Sequence, residues 1–180
     1  MGWPERAEGE GNVLETETRR ITLRKPVVQD VPNMARIING YASQGQMLPR
    51  SHHKLYQDIR DFVVATVEDE IIGCGALHVV WGDVAEVRSL AVAPDWLGKG
   101  IGRLMVEALV QEARSLGLPS VFALTYRQGF FEHMGFRVVP RETLPHKIWG
   151  ECLDCPNFPN CNEIAVKMDF TQQEESEDEG

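Results

Sequence analysis

The stretch LAVAPDWLGKGIGRLMVEALVQEA, residues 90–113, decides the fold. An apolar run, Leu90 to Ala93, leads into Gly98, Gly100 and Gly102 within five positions. Leu104, Met105, Ala108 and Leu109 then follow at the spacing of one helix face. Glycine loses more backbone freedom on folding than any other residue, so three at a strand-to-helix junction need a reason. A turn of this kind aims backbone N–H groups outward at a helix start, where they hold phosphate oxygens. Without Cβ atoms the main chain comes close to such an anion, and Lys99 and Arg103 add positive charge. A tight turn with no ligand has the same spacing, so the pattern alone leaves both readings open.

Working outward, the helical pattern runs on to Leu116 and stops at Gly117, a C′ glycine ahead of Pro119. SVFALTY (120–126) reads as a strand, and GFFEHMGF (129–136) as a short helix closing at Gly135. On the N-terminal side, DVAEVRSLAVAP (83–94) reads as a strand. Strict alternation puts Val87 and Ala91 on one face and Glu86, Arg88, Leu90 and Val92 on the other. FVVATVED and EIIGCGALHVVW are two more strands around the acidic turn Glu68-Asp69-Glu70. ITLRKPV (21–27) is a strand with Ile21 and Leu23 on one face. VPNMARIINGYA (31–42) is a helix, with Val31, Met34, Ile37 and Ile38 in register and Asp30 and Pro32 at its start. SHHKLYQDIRDF (51–62) is another, capped by Ser51, with Leu55, Ile59 and Phe62 on one side. Strand, helix and strand in succession imply a parallel crossover in one α/β domain.

A chain of 180 residues suits a single domain with a real core. The net charge of −9 argues against a nucleic-acid partner. Glu174, Glu175, Glu177, Asp178 and Glu179 crowd the acidic end, so 171–180 is expected to be disordered, as are the polar residues 1–19. The folded domain is then 20–170. No apolar run approaches the roughly 18 residues that span a bilayer, and no signal-peptide pattern opens the chain. A cytoplasmic location with no membrane partner is expected.

VRSLAVAPDWLGKGIGRLMVEALVQEARSLG (87–117), with its Pro-x-x-x-Gly-x-Gly-x-Gly loop, and FALTYRQGFFEHMGF (122–136) resemble the acetyl-CoA-binding core of the GNAT N-acetyltransferase superfamily. The resemblance covers about residues 21–170. It implies a mixed, mostly antiparallel central sheet, splayed at the acetyl-CoA site and flanked by helices, with acetyl-CoA as co-substrate. The contacts it implies are Leu90, Ala91 and Val92 on the strand, Leu97, Gly98, Lys99, Gly100, Ile101, Gly102 and Arg103 around the helix start, and Phe131. Leu97 stands where the family usually has Arg or Gln, which weakens a side-chain contact but not a backbone one. Backbone N–H groups near Ala91 and Val92, where the family's strand splays, are the implied contacts for the acetyl group and its oxyanion.

Within the superfamily the chain is similar to the short N-acetylglutamate synthases, the amino-acid acetyltransferases of arginine biosynthesis. GQMLPRS (45–51), EVRSLAV (86–92), FALTY (122–126) and KIWGECLDCPNFPNCNEIAV (147–166) carry that likeness. The implied acceptor is the α-amino group of L-glutamate, and the implied partners are this small substrate and, at most, a second copy in a homodimer. A substrate with two carboxylates calls for cationic forks. Arg24, Arg50 and Arg88 come from three segments, with Lys147 a fourth cation and Ser51 a hydroxyl donor. The plain alternative is an ion pair for each cation and an N-cap role for Ser51. Glu86 is the candidate base, since catalytic glutamates occur at its position in several family members; a strand-end carboxylate paired with Arg88 is the alternative. Phe131 occupies a position where many relatives carry Tyr. Tyr126, just before, is the candidate acid for the leaving thiolate, or else a structural hydroxyl.

Cys152, Cys155 and Cys161 form C-x2-C-x5-C, with His146 upstream. Zinc, a redox disulfide and free thiols shaping the loop 146–162 all remain open, because three Cys with one distant His are an incomplete zinc signature. Cys74 reads as core, and His52 and His53 as exposed helix residues. Two rival functions stand beside glutamate acetylation. One is the same chemistry on another amino acid, an amine or a protein N-terminus; the other is a non-catalytic metal- or redox-responsive module.

Overall fold

The structure, a computed structural model, describes residues 13–16, 19–144 and 163–170. Chain order gives β1 (Val13–Thr16), β2 (Arg19–Arg24), α1 (Val31–Ala42), α2 (His52–Gln57), β3 (Phe62–Val67) and β4 (Glu70–Trp81). Then come β5 (Val84–Val92), α3 (Ile101–Ser115), β6 (Ser120–Thr125), α4 (Gln128–His133), β7 (Arg137–Val138) and β8 (Ile164–Asp169). Among the described residues these strands make one eight-stranded sheet, ordered β1-β2-β3-β4-β5-β6-β8-β7. Every pairing is antiparallel except β5 with β6, where α3 supplies the crossover.

The sheet is buried on both faces at its centre, which is why FVVATV reads as an unbroken apolar run. Phe62 and Val64 pack with Met34, Ile37, Ile38 and Leu55 beneath α1 and α2. Val63, Ala65 and Val67 pack with Met105, Val106 and Leu109 beneath α3. The turn after β3 uses Glu68 and Asp69 at φ 49° and 67°, the left-handed pair that matches the twist of a two-residue hairpin. α3 ends as its glycine forecast: Gly117 N–H donates to Arg114 C=O at 3.0 Å and Leu118 N–H to Ala113 C=O at 3.1 Å.

Four expectations change. Val13–Thr16, inside the segment expected to be loose, form a strand, because their backbone pairs with β2 and covers its edge. The second helix stops at Gln57, and Phe62 belongs to β3. Leu116 is exposed, because the helix ends before its side chain can return to the core.

The fourth concerns β5. Cys74 pairs with Ala91 and Ala76 with Arg88, so Ser89 and Leu90 together oppose Gly75, a β-bulge with Ser89 at φ 54°. The extra residue flips the alternation. Val87 and Ala91 therefore lie on opposite faces, Val87 with the α3 core and Ala91 with the α1 core. Leu90 and Val92 pack toward α3, away from Glu86 and Arg88. A Cβ on Gly75 would meet Leu90 Cδ1 at 2.9 Å, so a side chain there would have to shift the leucine that the bulge turns inward.

Candidate active site

β5 and β6 register only at Ala85↔Val121 and Glu86↔Phe122. Beyond that point they part, and a cleft of about 1110 Å³ opens between them. Its walls are the loop between α1 and α2, β5 from Glu86 to Val92, the glycine loop, and the segment from Leu124 to Phe131.

At one end stands the glycine loop. Pro94–Trp96 makes a single 3₁₀ turn, and Gly98 and Gly100 take φ 75° and 78°, conformations that cost other residues dearly. Gly100 is the N-cap of α3; it offers no side chain to the helix, and no carboxylate lies in the first turn. The leading N–H groups of a helix have no acceptor within it, so this end is left with its positive pole toward the cleft. Gly98, Gly100, Ile101, Gly102 and Arg103 all line that cleft. A diphosphate fits such a set of donors. Gly102 serves a different purpose from the other two, since a Cβ there would lie 3.4 Å from Phe130 Cζ. Lys99 is not among the lining residues; its ammonium sits 4.8 Å from the centre of the Trp96 ring, a cation–π contact. Arg103 Nε donates to Glu107 Oε1 at 2.9 Å in an exposed pair of little energetic weight.

Arginines from other elements share the cleft with that loop. Arg50 and Arg88 both line the cleft, from the α1–α2 loop and from β5. The side chain of Arg88 is only 7% exposed, with Nη2 3.6 Å from Asp58 Oδ2 and Nη1 4.0 Å from Glu86 Oε2. Lys54 Nζ completes the array, 3.3 Å from Asp58. The bulge at Ser89 brings Glu86, Arg88 and Ala91 onto one face here. Tyr41, from α1, lines the same space and donates its hydroxyl to Val92 C=O at 2.5 Å. Tyr126 lines it as well and is largely exposed.

Residues 32–136 match the acetyltransferase (GNAT) family. The chain belongs to that family. An uncharacterized N-acetyltransferase of Chlorobaculum tepidum is 41% identical over 144 residues, 80% of this chain and 93% of that protein. An amino-acid acetyltransferase of Mycobacterium tuberculosis is 36% identical over 135 residues, 73% of this chain and 77% of the relative. The crystal structure of N-acetylglutamate synthase from Neisseria gonorrhoeae, complexed with coenzyme A and N-acetyl-glutamate, superposes with TM-score 0.76 at 25% identity. That match covers 83% of this chain but only 35% of the synthase. The chain is thus a GNAT N-acetyltransferase, and coenzyme A in a relative of the same fold agrees with the donor set around Gly98 and Gly100.

The acetyltransferase does not gather all the cations its sequence offers. Arg24 is not among the cleft residues; its Nη1 and Nη2 donate to Asp30 at 2.6 and 3.0 Å. That fork, together with the Val27 N–H at 2.7 Å, also explains why Asp30 does not cap α1. The hydrogen bonds from Arg24 hold the Asp30 carboxyl below its usual range, and Asp30 in turn raises the guanidinium. Ser51 is exposed and caps α2, accepting from Lys54 N–H at 3.1 Å. Phe131 is buried, edge-on to Phe130 and Phe136 with centroids 5.1 Å apart in both pairs, and together with Phe130 it lines the cleft. Cys74 lies in the core as read, and burial pushes its thiol up to about 12. Lys147, His146, Cys152, Cys155 and Cys161 lie outside the described residues. Among the described residues no three His, Cys, Asp or Glu side chains cluster as metal ligands, and no helix is long and apolar enough to cross a membrane.

Tyr41, Asp58 and Phe130 carry no signal in the sequence pattern. Tyr41 continues the apolar stripe of its own helix and reads as core. In a six-residue helix, spacing does not tell that Phe130 lines the cleft beside Phe131.

Proposed function

We propose that this acetyltransferase moves the acetyl group of acetyl-CoA to the α-amino group of an amino acid with a side-chain carboxylate, L-glutamate foremost. Such N-acetylglutamate synthesis would make it a cytoplasmic enzyme at the opening of arginine biosynthesis, with its catalytic domain spanning 20–170. The observation that carries this reading is that Arg50 and Arg88 line the same cleft as the glycine loop. Two guanidinium forks suit a dicarboxylate, and they would repel a polycationic amine. The names of the Mycobacterium tuberculosis and Neisseria gonorrhoeae relatives support the same acceptor class. Lys147 is the further cation this reading would add.

In the proposed reaction Glu86 takes a proton from the acceptor ammonium. The freed amine attacks the thioester carbon and a C–N bond forms. Charge passes to the carbonyl oxygen, where backbone N–H groups near Ala91 and Val92 stabilise it. The C–S bond then breaks, and coenzyme A leaves as thiolate, protonated by Tyr126 or by water. The nitrogen loses two protons in all: the one Glu86 takes from the ammonium passes on to solvent, and the second, shed by the tetrahedral intermediate, is matched by the one the sulfur gains.

The test is coenzyme A release measured across a panel of amino acids and amines. Glutamate should show the highest kcat/KM. An exclusive preference for amines lacking a carboxylate would overturn the proposal.

A further inference from the structure

We infer that Asn39 is a positioning residue for the acceptor, acting through Arg50; the inference rests on the reading of Arg50 as a carboxylate contact. Asn39 lies in the last turn of α1, half-buried, and its carboxamide makes two bonds to one residue. Its Nδ2 donates to Arg50 C=O at 2.9 Å, and Arg50 N–H donates to its Oδ1 at 2.9 Å. A primary amide is the one uncharged side-chain group with a donor and an acceptor side by side, so it imitates the two-bond exchange between antiparallel strands. Residues 48–50 belong to no helix or strand, and the Asn39 carboxamide takes the place of a ladder there. On its other side the chain turns directly into the Ser51 cap of α2. Arg50 is therefore clamped between two helices, while Gly45 to Leu48, on the same loop and on the same cleft wall, lie outside the clamp.

The anchor is rigid. Met34, Ile37 and Ile38 bury the inner face of α1, and Ser43 N–H donates to Asn39 C=O at 3.0 Å. Two residues on, Tyr41 grips Val92 C=O. One helical end thus holds both the arginine loop and the tip of β5. It sets the separation between the point where a carboxylate is gripped and the point where the thioester lies. Displacing a contact by about 1 Å costs up to roughly a hundredfold in rate, so this separation governs acceptor recognition.

The experiment is steady-state kinetics of the full chain for Asn39→Ala, Arg50→Ala and the double variant. Asn39→Ala should raise the acceptor KM on the order of tenfold while the acetyl-CoA KM stays within about twofold. In the Arg50→Ala background, adding Asn39→Ala should change the acceptor KM by less than about twofold, as expected of residues acting through one another. An unchanged acceptor KM in Asn39→Ala, an equal rise in both KM values, or fully additive effects would each overturn the inference. Arg50→Ala leaving the acceptor KM unchanged would instead overturn the functional reading, and this inference with it. Should Asn39→Ala not fold, Asn39→Asp keeps the acceptor for Arg50 N–H and loses the donor. It should then give an intermediate KM; a wild-type KM would count against the clamp.

Discussion

Arg88 is almost wholly buried, with two carboxylates, of Asp58 and Glu86, within 4.0 Å of it. Such a guanidinium is held in place before any substrate arrives, which suits recognition better than a mobile surface cation does. Replacing it by alanine should raise the acceptor KM about 10- to 100-fold, the range for a lost charge-assisted hydrogen bond, and leave the acetyl-CoA KM nearly unchanged. Initial rates with each substrate varied in turn check this. Glu86→Gln should lower kcat by about 10²–10⁴-fold with little change in either KM, the range for removing a general base. A variant of near-wild-type kcat would return Glu86 to the role of Arg88's ion-pair partner. Away from the cleft, the Arg24–Asp30 fork makes a pH prediction. The Arg24 fork holds the folded-state pKa of Asp30 below its ordinary value of 3.8, so the fork's stabilisation is fully present above that value. It is lost as pH falls through the depressed folded pKa. Asp30→Asn should be less stable than wild type at neutral pH, and the gap should narrow in acid, as thermal melts across pH would reveal.

At the scale of elements, the glycine loop separates two uses of one residue type. Gly98→Ala and Gly100→Ala force a Cβ into left-handed backbone at a cost of about 1–2 kcal/mol each and crowd the anion's approach. Both should raise the acetyl-CoA KM and lower Tm. Gly102→Ala should be mild, because its methyl reaches only ordinary contact with Phe130 and improves helix propensity by up to about 1 kcal/mol. Equal damage from all three would mean that the loop works by another principle. Much of this was legible in the sequence. Val31, Met34, Ile37 and Ile38 mark α1 because a helix repeats its buried face every 3.6 residues, and the glycines mark the loop because few other residues adopt positive φ. The faces of β5 were not legible. A bulge adds one residue without any required residue type, and Ser89 is a non-glycine at φ 54°, so strict alternation put Leu90 and Val92 beside Arg88. Arg24 was misleading for another reason: its partner Asp30 is six residues away and reads as a helix cap until the fork is seen.

Over the whole molecule, the two larger of three buried clusters lie on opposite faces of one sheet, and the cleft opens at the one parallel junction among the described strands. A ligand bound there stabilises the folded chain by mass action. Coenzyme A at about a hundred times its Kd should add about 2.7 kcal/mol, a Tm rise of roughly 5–10 °C for a domain of this size. Calorimetry showing neither binding nor a Tm shift at millimolar coenzyme A would remove the ground under the catalytic scheme. The order of the strands was not readable from the sequence beyond the crossover. β8 slips between β6 and β7 through pairings such as Ala123↔Val166 and Val138↔Val166, and no local pattern announces long-range partners of that kind.

The divergence of β5 from β6 has a thermodynamic echo. Past Glu86 and Phe122 the peptide groups that would have joined the two strands look into open space. A guest with amides of its own, as the arm of coenzyme A has, can enter as an extra rung. Deuterium uptake at those amides of residues 87–92 that face away from β4 should then be fast in the empty enzyme and slow in the loaded one. The substrate would, for the length of one turnover, be woven into the fold.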